Sequence, residues 1–183
     1  MSKTTFYLIR HGEVKNLKQI IYGRLPGFPL TENGRKQVEK TALKLKKFPV
    51  GIIYSSPLLR ARESAGIIAG HLNLKPKISY DLIEIKNIFE GTPLSEYKNK
   101  IQPHQFEDKY VKRGNESIEK IAERMMGFLV KINKMHNGKH IVVVSHGDPI
   151  AIIKSVLDKR KFTWEYKKNN YINTGDFVRV ILE

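Results

Sequence analysis

The sequence contains 183 residues, and its 40% of hydrophobic and 9% of aromatic residues are ordinary proportions for a globular chain. It has no cysteine and no stretch approaching the ~20 apolar residues of a membrane span, which excludes disulfide bonds, a thiolate nucleophile or metal site, and a transmembrane helix. The formal net charge of +15 favours anionic partners such as phosphorylated metabolites or nucleic acid.

The first half of the chain alternates predicted strands and helices. Residues 4–9 form an apolar run typical of a buried strand, and Thr31 can cap the helix that follows the next loop. Residues 50–54 are short and β-branched, which again predicts a buried strand. Pro57 suits the first turn of a second helix, and a short β segment is expected around residues 77–80.

The second half begins with a less regular stretch. Residues 86–115 mix glycine, proline and many charges, and we expect there a lid or loop segment near a site. The elements expected after it are a long helix from Asn115 or Ser117, a strand over 140–144, a helix over about 149–157 and a strand near 177–182. This alternation indicates an α/β fold with a mainly parallel sheet. Since no linker or repeat divides the chain, we expect one domain over residues 1–183.

Two of the predicted strands end in the same way. The apolar residues 6–9 lead directly into Arg10-His11-Gly12-Glu13, and residues 141–144 lead into Ser145-His146-Gly147-Asp148. In an open α/β sheet, side chains just past the carboxyl ends of parallel strands converge on one crevice. The sequence therefore predicts that two imidazoles and an arginine form a site for a tetrahedral anion, with one histidine free to act as a nucleophile. The residues alone do not choose between His11 and His146.

Phosphoryl transfer would need further groups at this site. It requires in-line attack, cations for the equatorial oxygens and a proton for the leaving oxygen. Arg60 follows a strand end and a Ser-Pro turn and lies in the first turn of a predicted helix, so we expect it to face the same crevice. Glu84 follows another predicted β segment, and a carboxyl group beside a bound phosphate can protonate the leaving group.

Four segments of the chain occur in the order and context of a known family. They are Arg10-His11-Gly12-Glu13, Ser56-x-Leu58-x-Arg60-Ala61, Leu82-x-Glu84 and Ser145-His146-Gly147. With these segments the chain resembles the histidine phosphatase superfamily, whose fold is that of cofactor-dependent phosphoglycerate mutase. The resemblance covers nearly the whole chain and implies a three-layer α/β/α sandwich with a mainly parallel, mixed sheet.

The resemblance also implies a role for each matching residue. The catalytic residues are expected to be His11, which becomes phosphohistidine, Glu84, which donates a proton and later activates water, and His146. The residues expected to bind phosphate are Arg10, Arg60, His146 and Asn16. Arg24 lies in a loop similar to that of a bacterial phosphatase branch and is expected to touch the substrate.

One segment departs from the family pattern. The family often has Gly-x-Trp-Glu-Gly after the acidic residue, whereas this chain has Asn87-Ile88-Phe89-Glu90-Gly91, without the first glycine. This departure makes Glu90 a rival to Glu84 for the proton donor. We interpret Glu84 as the donor and Glu90 as structural.

The leading prediction is a metal-independent phosphomonoesterase that hydrolyses small phosphorylated metabolites through phosphohistidine and needs no cofactor. The alternative within the family is a phosphoglycerate mutase, which passes the phosphoryl group between hydroxyls with the same residues. The stretch from Glu84 to His146 is short for the insertion that closes a mutase site, and this favours the phosphatase.

Nucleic-acid binding and metal binding are each suggested by one feature of the sequence. Residues 159–168 interleave basic and aromatic residues as single-strand binders do, although a packed connection before the last strand explains the same pattern. The potential metal ligands His11, Glu13, His146 and Asp148 match no helical zinc spacing. We expect a cytoplasmic protein that acts on a small anionic phosphorylated substrate and has no metal or membrane partner. A polyanion or nucleic-acid binder on the same fold is the less favoured alternative.

Overall fold

The central feature of the computed structural model, which describes residues 3–183, is one mixed β-sheet. Its strands are β1 (Thr4–Arg10), β2 (Val50–Ser55), β3 (Pro76–Ile78), β4 (His140–Ser145) and β5 (Phe177–Leu182). They lie in the order β3-β2-β4-β1-β5, and neighbouring strands are parallel except β1 and β5, which are antiparallel. The predicted α/β fold with a mainly parallel, mixed sheet is therefore confirmed.

Helices cover both faces of this sheet. They are α1 (Glu32–Leu45), α2 (Leu59–Leu72), α3 (Leu94–Lys100), α4 (Asp108–Val111), α5 (Ile118–Met135), α6 (Gly147–Leu157) and α7 (Trp164–Asn170). One apolar core lies between the sheet and α1 and α2, and a second lies between the sheet and α5 and α6. Within the described residues, no helix is both long and apolar enough to cross a membrane.

The middle of β1 shows why the strands are apolar on both faces. Tyr7 and Ile9 belong to the core under α1 and α2, whereas Phe6 and Leu8 belong to the core under α5 and α6. Successive side chains of a strand point to opposite faces, so a sheet covered on both sides requires an unbroken apolar run. This run is the sequence signal that predicted the strand.

The start of α2 differs from the prediction. Pro57 does not lie in the first helical turn, because α2 begins at Leu59 with Leu58 in an extended conformation. The Leu58 backbone N–H donates to the Ser56 hydroxyl at 3.4 Å, so residues 56–58 form a turn before the helix. The helix therefore begins one residue before Arg60.

The predicted irregular segment, residues 86–115, has more regular structure than expected. It contains α3, a 3₁₀ turn at Gln102–His104 and α4. These helices are too short to produce a helical period in the sequence. A buried hydrogen bond from the Asn87 amide to the Tyr97 hydroxyl, 2.8 Å long, ties α3 to the start of the segment. The lid role of this segment stays a prediction.

The basic and aromatic residues 159–168 form a packed connection. Thr163 caps α7, and the side chains of Phe162 and Tyr166 are buried in the core under α5 and α6. Phe162 packs edge to face against Phe106, with ring centroids 5.7 Å apart. The buried aromatic rings are thus unavailable as a stacking platform for nucleotide bases.

Candidate active site

The parallel pairing of β1 and β4 brings the two His-Gly segments together. In that pairing Arg10 lies opposite Ser145, so the next residue of each strand, His11 and His146, leaves the sheet at the same edge. Their ring centroids are 5.2 Å apart. The structure thus places both predicted histidines in one site.

The side chain of His11 is oriented by the backbone. It is 2% exposed, and its Nδ1 lies 2.8 Å from the carbonyl oxygen of Gly12. A carbonyl oxygen can only accept, so Nδ1 carries the ring hydrogen and Nε2 keeps its lone pair. That lone pair accepts a hydrogen bond from Arg60 Nε at 3.2 Å.

The surroundings keep the imidazole of His11 neutral. Burial lowers its pKa well below the usual value of 6.5, and the positive charges of Arg60 and Arg10 lower that pKa further. The hydrogen bond to Gly12 opposes the shift without reversing it. A neutral imidazole with a free Nε2 is the form that can attack phosphorus.

Arg60 is a buried cation. It is 1% exposed, and besides His11 its guanidinium contacts the carbonyl oxygen of Gly23, at 2.8 Å from Nη2, and the Tyr22 ring, at 4.7 Å from Cζ. Within residues 3–183 no carboxylate lies close enough to form an ion pair with it. A buried charge without a counter-charge is unfavourable in the free protein, so the position is suited to an anion from outside.

Arg10 is held in a similar way on the other side of His11. Its Nη1 donates to the carbonyl oxygen of Ile172 at 2.9 Å, and its Cζ lies 4.8 Å from the centre of the Tyr171 ring. Its Nε is buried, and in the described part of the chain it has no hydrogen-bond partner. This donor remains available to a ligand in the site.

His146 is completely buried and lies between Ser56 and Glu84. Its Nε2 is 2.7 Å from the Ser56 hydroxyl, and its Nδ1 is 3.8 Å from Glu84 Oε2. Burial, followed by the charge of Arg60, lowers the pKa of His146 well below 6.5, so the ring is neutral. The Ser56 hydroxyl can donate to Nε2, and in that tautomer Nδ1, which has no hydrogen-bond partner in the described residues, carries the ring hydrogen. His146 can therefore donate to an anion without being protonated.

Glu84 has the properties of a proton donor. Burial raises its pKa to about 6, the negative charge of Asp148 adds to the rise, and Arg60 and Arg10 oppose it. Its Oε1 accepts from the Ile85 backbone N–H at 2.9 Å. Glu84 thus holds a proton at mildly acidic pH and can release it to a leaving oxygen.

These groups surround one end of a cavity of about 360 Å³. Arg10, His11 and Glu84 line its wall, while Arg60 and His146 lie directly behind His11. The other end is lined by apolar and polar side chains from several elements, among them Ile20, Ile21, Leu94, Tyr97 and Asp148. The cavity is suited to a small molecule with an anionic group at the arginine end.

The family of the chain is established by sequence comparison. The profile of the histidine phosphatase superfamily (branch 1) matches residues 6–171, a range that contains all the site residues described above. The chain belongs to the histidine phosphatase superfamily. The predicted family and the prediction of a phosphatase enzyme are thus confirmed.

Named relatives of this histidine phosphatase share most of its length. The uncharacterized phosphatase PhoE of Bacillus subtilis is 34% identical over 154 residues, which cover 80% of this chain and 74% of that protein. Phosphoserine phosphatase 1 of Hydrogenobacter thermophilus is 31% identical over 176 residues, which cover 89% of this chain and 81% of that protein.

Solved structures of histidine phosphatases superpose on this one. Phosphoserine phosphatase from Entamoeba histolytica, in complex with 3-phosphoglyceric acid, gives a TM-score of 0.80 at 30% identity, covering 96% of this chain and 89% of that chain. Bacillus stearothermophilus YhfR gives a TM-score of 0.83 over 96% of this chain and 90% of that chain, and its 24% identity shows the fold alone.

Two residues expected to contact the ligand are engaged elsewhere in this histidine phosphatase. The Asn16 amide donates to the carbonyl oxygen of Ile20 at 2.8 Å, so Asn16 closes its own loop and is absent from the cavity wall, and its phosphate contact stays a prediction. Arg24 forms an ion pair with Glu116 at 2.9 Å and donates to the backbone oxygen of Glu84 at 2.7 Å. Arg24 therefore supports Glu84 and is absent from the cavity wall, and its contact with the substrate stays a prediction.

The two candidate proton donors are separated by the structure. Glu84 lines the cavity, whereas Glu90 Oε1 accepts from the backbone N–H of Arg24 at 2.7 Å and is absent from the cavity wall. This geometry favours Glu84 as the donor and gives Glu90 a structural position beneath the Tyr22–Arg24 loop.

The two acidic residues among the potential metal ligands are engaged by other side chains. The Glu13 carboxylate accepts hydrogen bonds from the side chains of Thr31 and Asn33, and Asp148 forms an ion pair with Lys167. In the part of the chain that the structure describes, no three His, Asp or Glu side chains are grouped as a metal site.

Sequence reasoning missed the two aromatic rings that support the site arginines. Tyr22 lies against Arg60 and Tyr171 against Arg10, and cation–π contacts of this kind hold a guanidinium in place. Tyr171 also explains Gly147, because a Cβ at that position would lie 2.1 Å from the Tyr171 hydroxyl. The glycine of the second His-Gly segment was the available signal for a close neighbour at this point.

Proposed function

We propose that this histidine phosphatase is a metal-independent phosphomonoesterase that hydrolyses small phosphorylated metabolites through phosphohistidine at His11. One observation carries the proposal: a neutral, backbone-oriented imidazole presents its Nε2 lone pair beside Arg60 and Arg10, neither of which forms an ion pair with a carboxylate of residues 3–183. The names of relatives and neighbours support the substrate class, because they include phosphoserine phosphatases and a complex with 3-phosphoglyceric acid.

In the first step the phosphoryl group moves to the enzyme. The guanidinium of Arg60 exchanges its bonds to His11 and Gly23 for bonds to phosphate oxygens, which frees Nε2 to attack phosphorus in line. The Nε2–P bond forms as the ester P–O bond breaks, and Glu84 gives its proton to the leaving oxygen. Arg10, Arg60 and the Nδ1–H of His146 stabilise the charge on the other oxygens.

In the second step water hydrolyses the phosphohistidine. Glu84, now a carboxylate, takes a proton from the water as its oxygen attacks phosphorus. The Nε2–P bond breaks, inorganic phosphate leaves, and both His11 and Glu84 return to their starting protonation states. No metal ion takes part in either step.

The decisive experiment follows the phosphorus atom in excess EDTA. We expect undiminished hydrolysis of 4-nitrophenyl phosphate, inhibition by vanadate, and a phosphoprotein in quenched turnover whose phosphate is lost in acid and kept in base. Mapping by mass spectrometry should place it on His11. Activity that depends on an added divalent metal, or turnover without modification of His11, would contradict the proposal.

A phosphoglycerate mutase would use the same first step and differs only in the acceptor. Incubation with 3-phosphoglycerate and a trace of 2,3-bisphosphoglycerate distinguishes the two, since a mutase forms 2-phosphoglycerate and a phosphatase forms glycerate and inorganic phosphate. We expect inorganic phosphate as the product. Conversion to 2-phosphoglycerate in preference to hydrolysis would establish the mutase.

Glu84→Gln tests the proton donor. An alkyl phosphate leaves poorly without a proton, so kcat/KM for phosphoserine should fall by about 10²–10⁴-fold, while that for 4-nitrophenyl phosphate falls by less than about tenfold. The matched control is Glu90→Gln, which should affect both substrates equally. In the wild type the phosphoserine rate should decline above about pH 6, because the raised pKa of Glu84 lies there. Equal losses on both substrates in Glu84→Gln would remove it from the acid role.

A further inference from the structure

A buried ion pair beside the active site has no part in the mechanism above. Lys167 Nζ lies 2.5 Å from Asp148 Oδ1, and the two side chains are only 5% and 10% exposed. A second contact to Asp148 comes from the Gln105 amide, which donates to Oδ2 at 3.1 Å. Burying two charges costs free energy that their attraction often fails to return, so the presence of the pair calls for a functional reason.

The two members of the pair face different sides. Asp148, the second residue of α6, lines the same cavity as Glu84. Lys167, on α7, lines a separate cavity of about 210 Å³ next to Trp164. The carboxylate of Asp148 thus shares a cavity with Glu84, whereas the compensating ammonium group of Lys167 lines a different one.

The charges around Glu84 show why a carboxylate is useful at position 148. After burial, Asp148 is the next cause of the raised pKa of Glu84, and Arg60 and Arg10 act against it. Other charged or titratable groups near Glu84 are His146, Arg24, Tyr22, Tyr97 and Tyr171, and Lys98 lines the same cavity. Without Asp148 the two arginines would meet no second negative charge in the cavity, and Glu84 would lose its proton more readily.

Lys167 also connects Asp148 to the support of Arg10. Its Nζ lies 5.0 Å from the centre of the Tyr171 ring, and the guanidinium of Arg10 lies 4.8 Å from the same centre. The basic and aromatic residues 159–168 thus contribute a buried lysine that contacts both Asp148 and Tyr171.

We propose that Asp148, paired with the buried Lys167, is a positioning residue that keeps Glu84 protonated, so that Glu84 can give its proton to the leaving oxygen. This inference rests on the proposed function, in which Glu84 is the proton donor. Asp148 does not contact the reacting atoms. It acts through the charge it presents to Glu84, and Lys167 and Gln105 fix where that charge lies.

A direct titration of Glu84 tests the inference without any turnover. The protein is labelled with ¹³C at the glutamate carboxyl carbons, and the Glu84 resonance is assigned as the one missing from Glu84→Gln. In Asp148→Asn the midpoint of its titration should fall by about one pH unit, because a neighbouring negative charge is removed. The double variant Asp148→Asn/Lys167→Met leaves neither charge of the pair unpaired. In this variant the midpoint of the Glu84 titration should also fall, but by less.

The matched control is Lys168→Met, which removes an exposed lysine next to Lys167 on α7 and should leave the titration unchanged. A Glu84 midpoint that stays at its wild-type value in both Asp148 variants would overturn the inference. The double variant keeps the test valid if Asp148→Asn alone does not fold.

The pH profile of kcat/KM provides the functional reading. For phosphoserine, the alkaline limb of the profile should shift to lower pH together with the midpoint of the Glu84 titration. This shift should lower kcat/KM above pH 7 by about tenfold. For 4-nitrophenyl phosphate, whose leaving group needs no proton, the limb should not move. A uniform loss on both substrates with an unchanged limb would mean that Asp148 only supports the fold. Absence of phosphohistidine in the wild type would instead refute the proposed function, whatever the titration shows.

Discussion

His11→Asn is expected to reduce kcat/KM for every phosphate ester by at least about 10⁴-fold while the protein remains folded. Asparagine has no nitrogen that can attack phosphorus. Its side-chain amide can still donate to the Gly12 carbonyl, which in the wild type accepts from His11 Nδ1 at 2.8 Å. The variant therefore separates loss of the nucleophile from loss of the local structure.

The measurement combines kinetics with a search for the covalent intermediate. Quenched turnover of His11→Asn should contain no acid-labile phosphoprotein, and circular dichroism should match the wild type. The matched control is His71→Asn on α2, distant from the cavity, which should retain full activity. A His11→Asn protein that still forms a phosphoenzyme would show that another residue, such as His146, is the nucleophile.

The same substitution should change how stability depends on pH. The pKa of His11 is lowered in the folded protein, so the unfolded chain binds the extra proton first as the pH falls below about 6.5. Wild-type stability should therefore decrease on acidification through that range. His11→Asn removes this contribution and flattens the dependence, although His146, whose pKa is also lowered, keeps part of it. Urea denaturation between pH 7 and pH 5 measures the difference in slope.

The residues at the strand ends were predictable because their positions follow from the sheet. An apolar run fixes a strand, parallel neighbours end at the same edge, and the residue that follows each strand must lie there. For His11 and His146 this argument needs no knowledge of side-chain contacts. The choice of His11 as the expected nucleophile came from the resemblance to a family. The structure adds a reason of its own, since the Gly12 carbonyl and Arg60 fix which nitrogen of that ring bears the lone pair.

The residues in loops were less predictable because their partners are distant in sequence. Asn16 folds back on Ile20, and Arg24 is paired with Glu116, which lies far along the chain on the other side of Glu84. Neither contact leaves a periodic or local signal. The buried pair of Asp148 and Lys167 is hidden for the same reason, since a lysine next to the exposed Lys168 looks like part of a solvated helix face.

Arg60→Met is expected to lower kcat/KM by about 10³-fold while the free energy of unfolding stays within about 1 kcal/mol of the wild type. The activity falls because a buried cation beside the transferring phosphoryl group is lost. The stability changes little because Arg60 is 1% exposed and, within residues 3–183, has no ion-pair partner, so methionine removes an uncompensated buried charge. Loss of the hydrogen bond to Gly23 and of the ring contact with Tyr22 destabilises the variant and offsets that gain.

The rise in Tm on vanadate binding tests Arg60→Met more sharply than its activity does. Vanadate at about 100 times its Kd should stabilise the wild type by about 2.7 kcal/mol, which raises Tm by about 5–10 °C for a chain of this size. Most of that rise should disappear in Arg60→Met, because the anion then meets Arg10 without its main buried partner. The matched control is Arg62→Met, two residues along α2 and exposed, which should keep both activity and the vanadate response. An Arg60→Met protein that retains the full Tm shift would show that the anion binds away from His11, and the assignment of this cavity as the phosphate site would have to be abandoned.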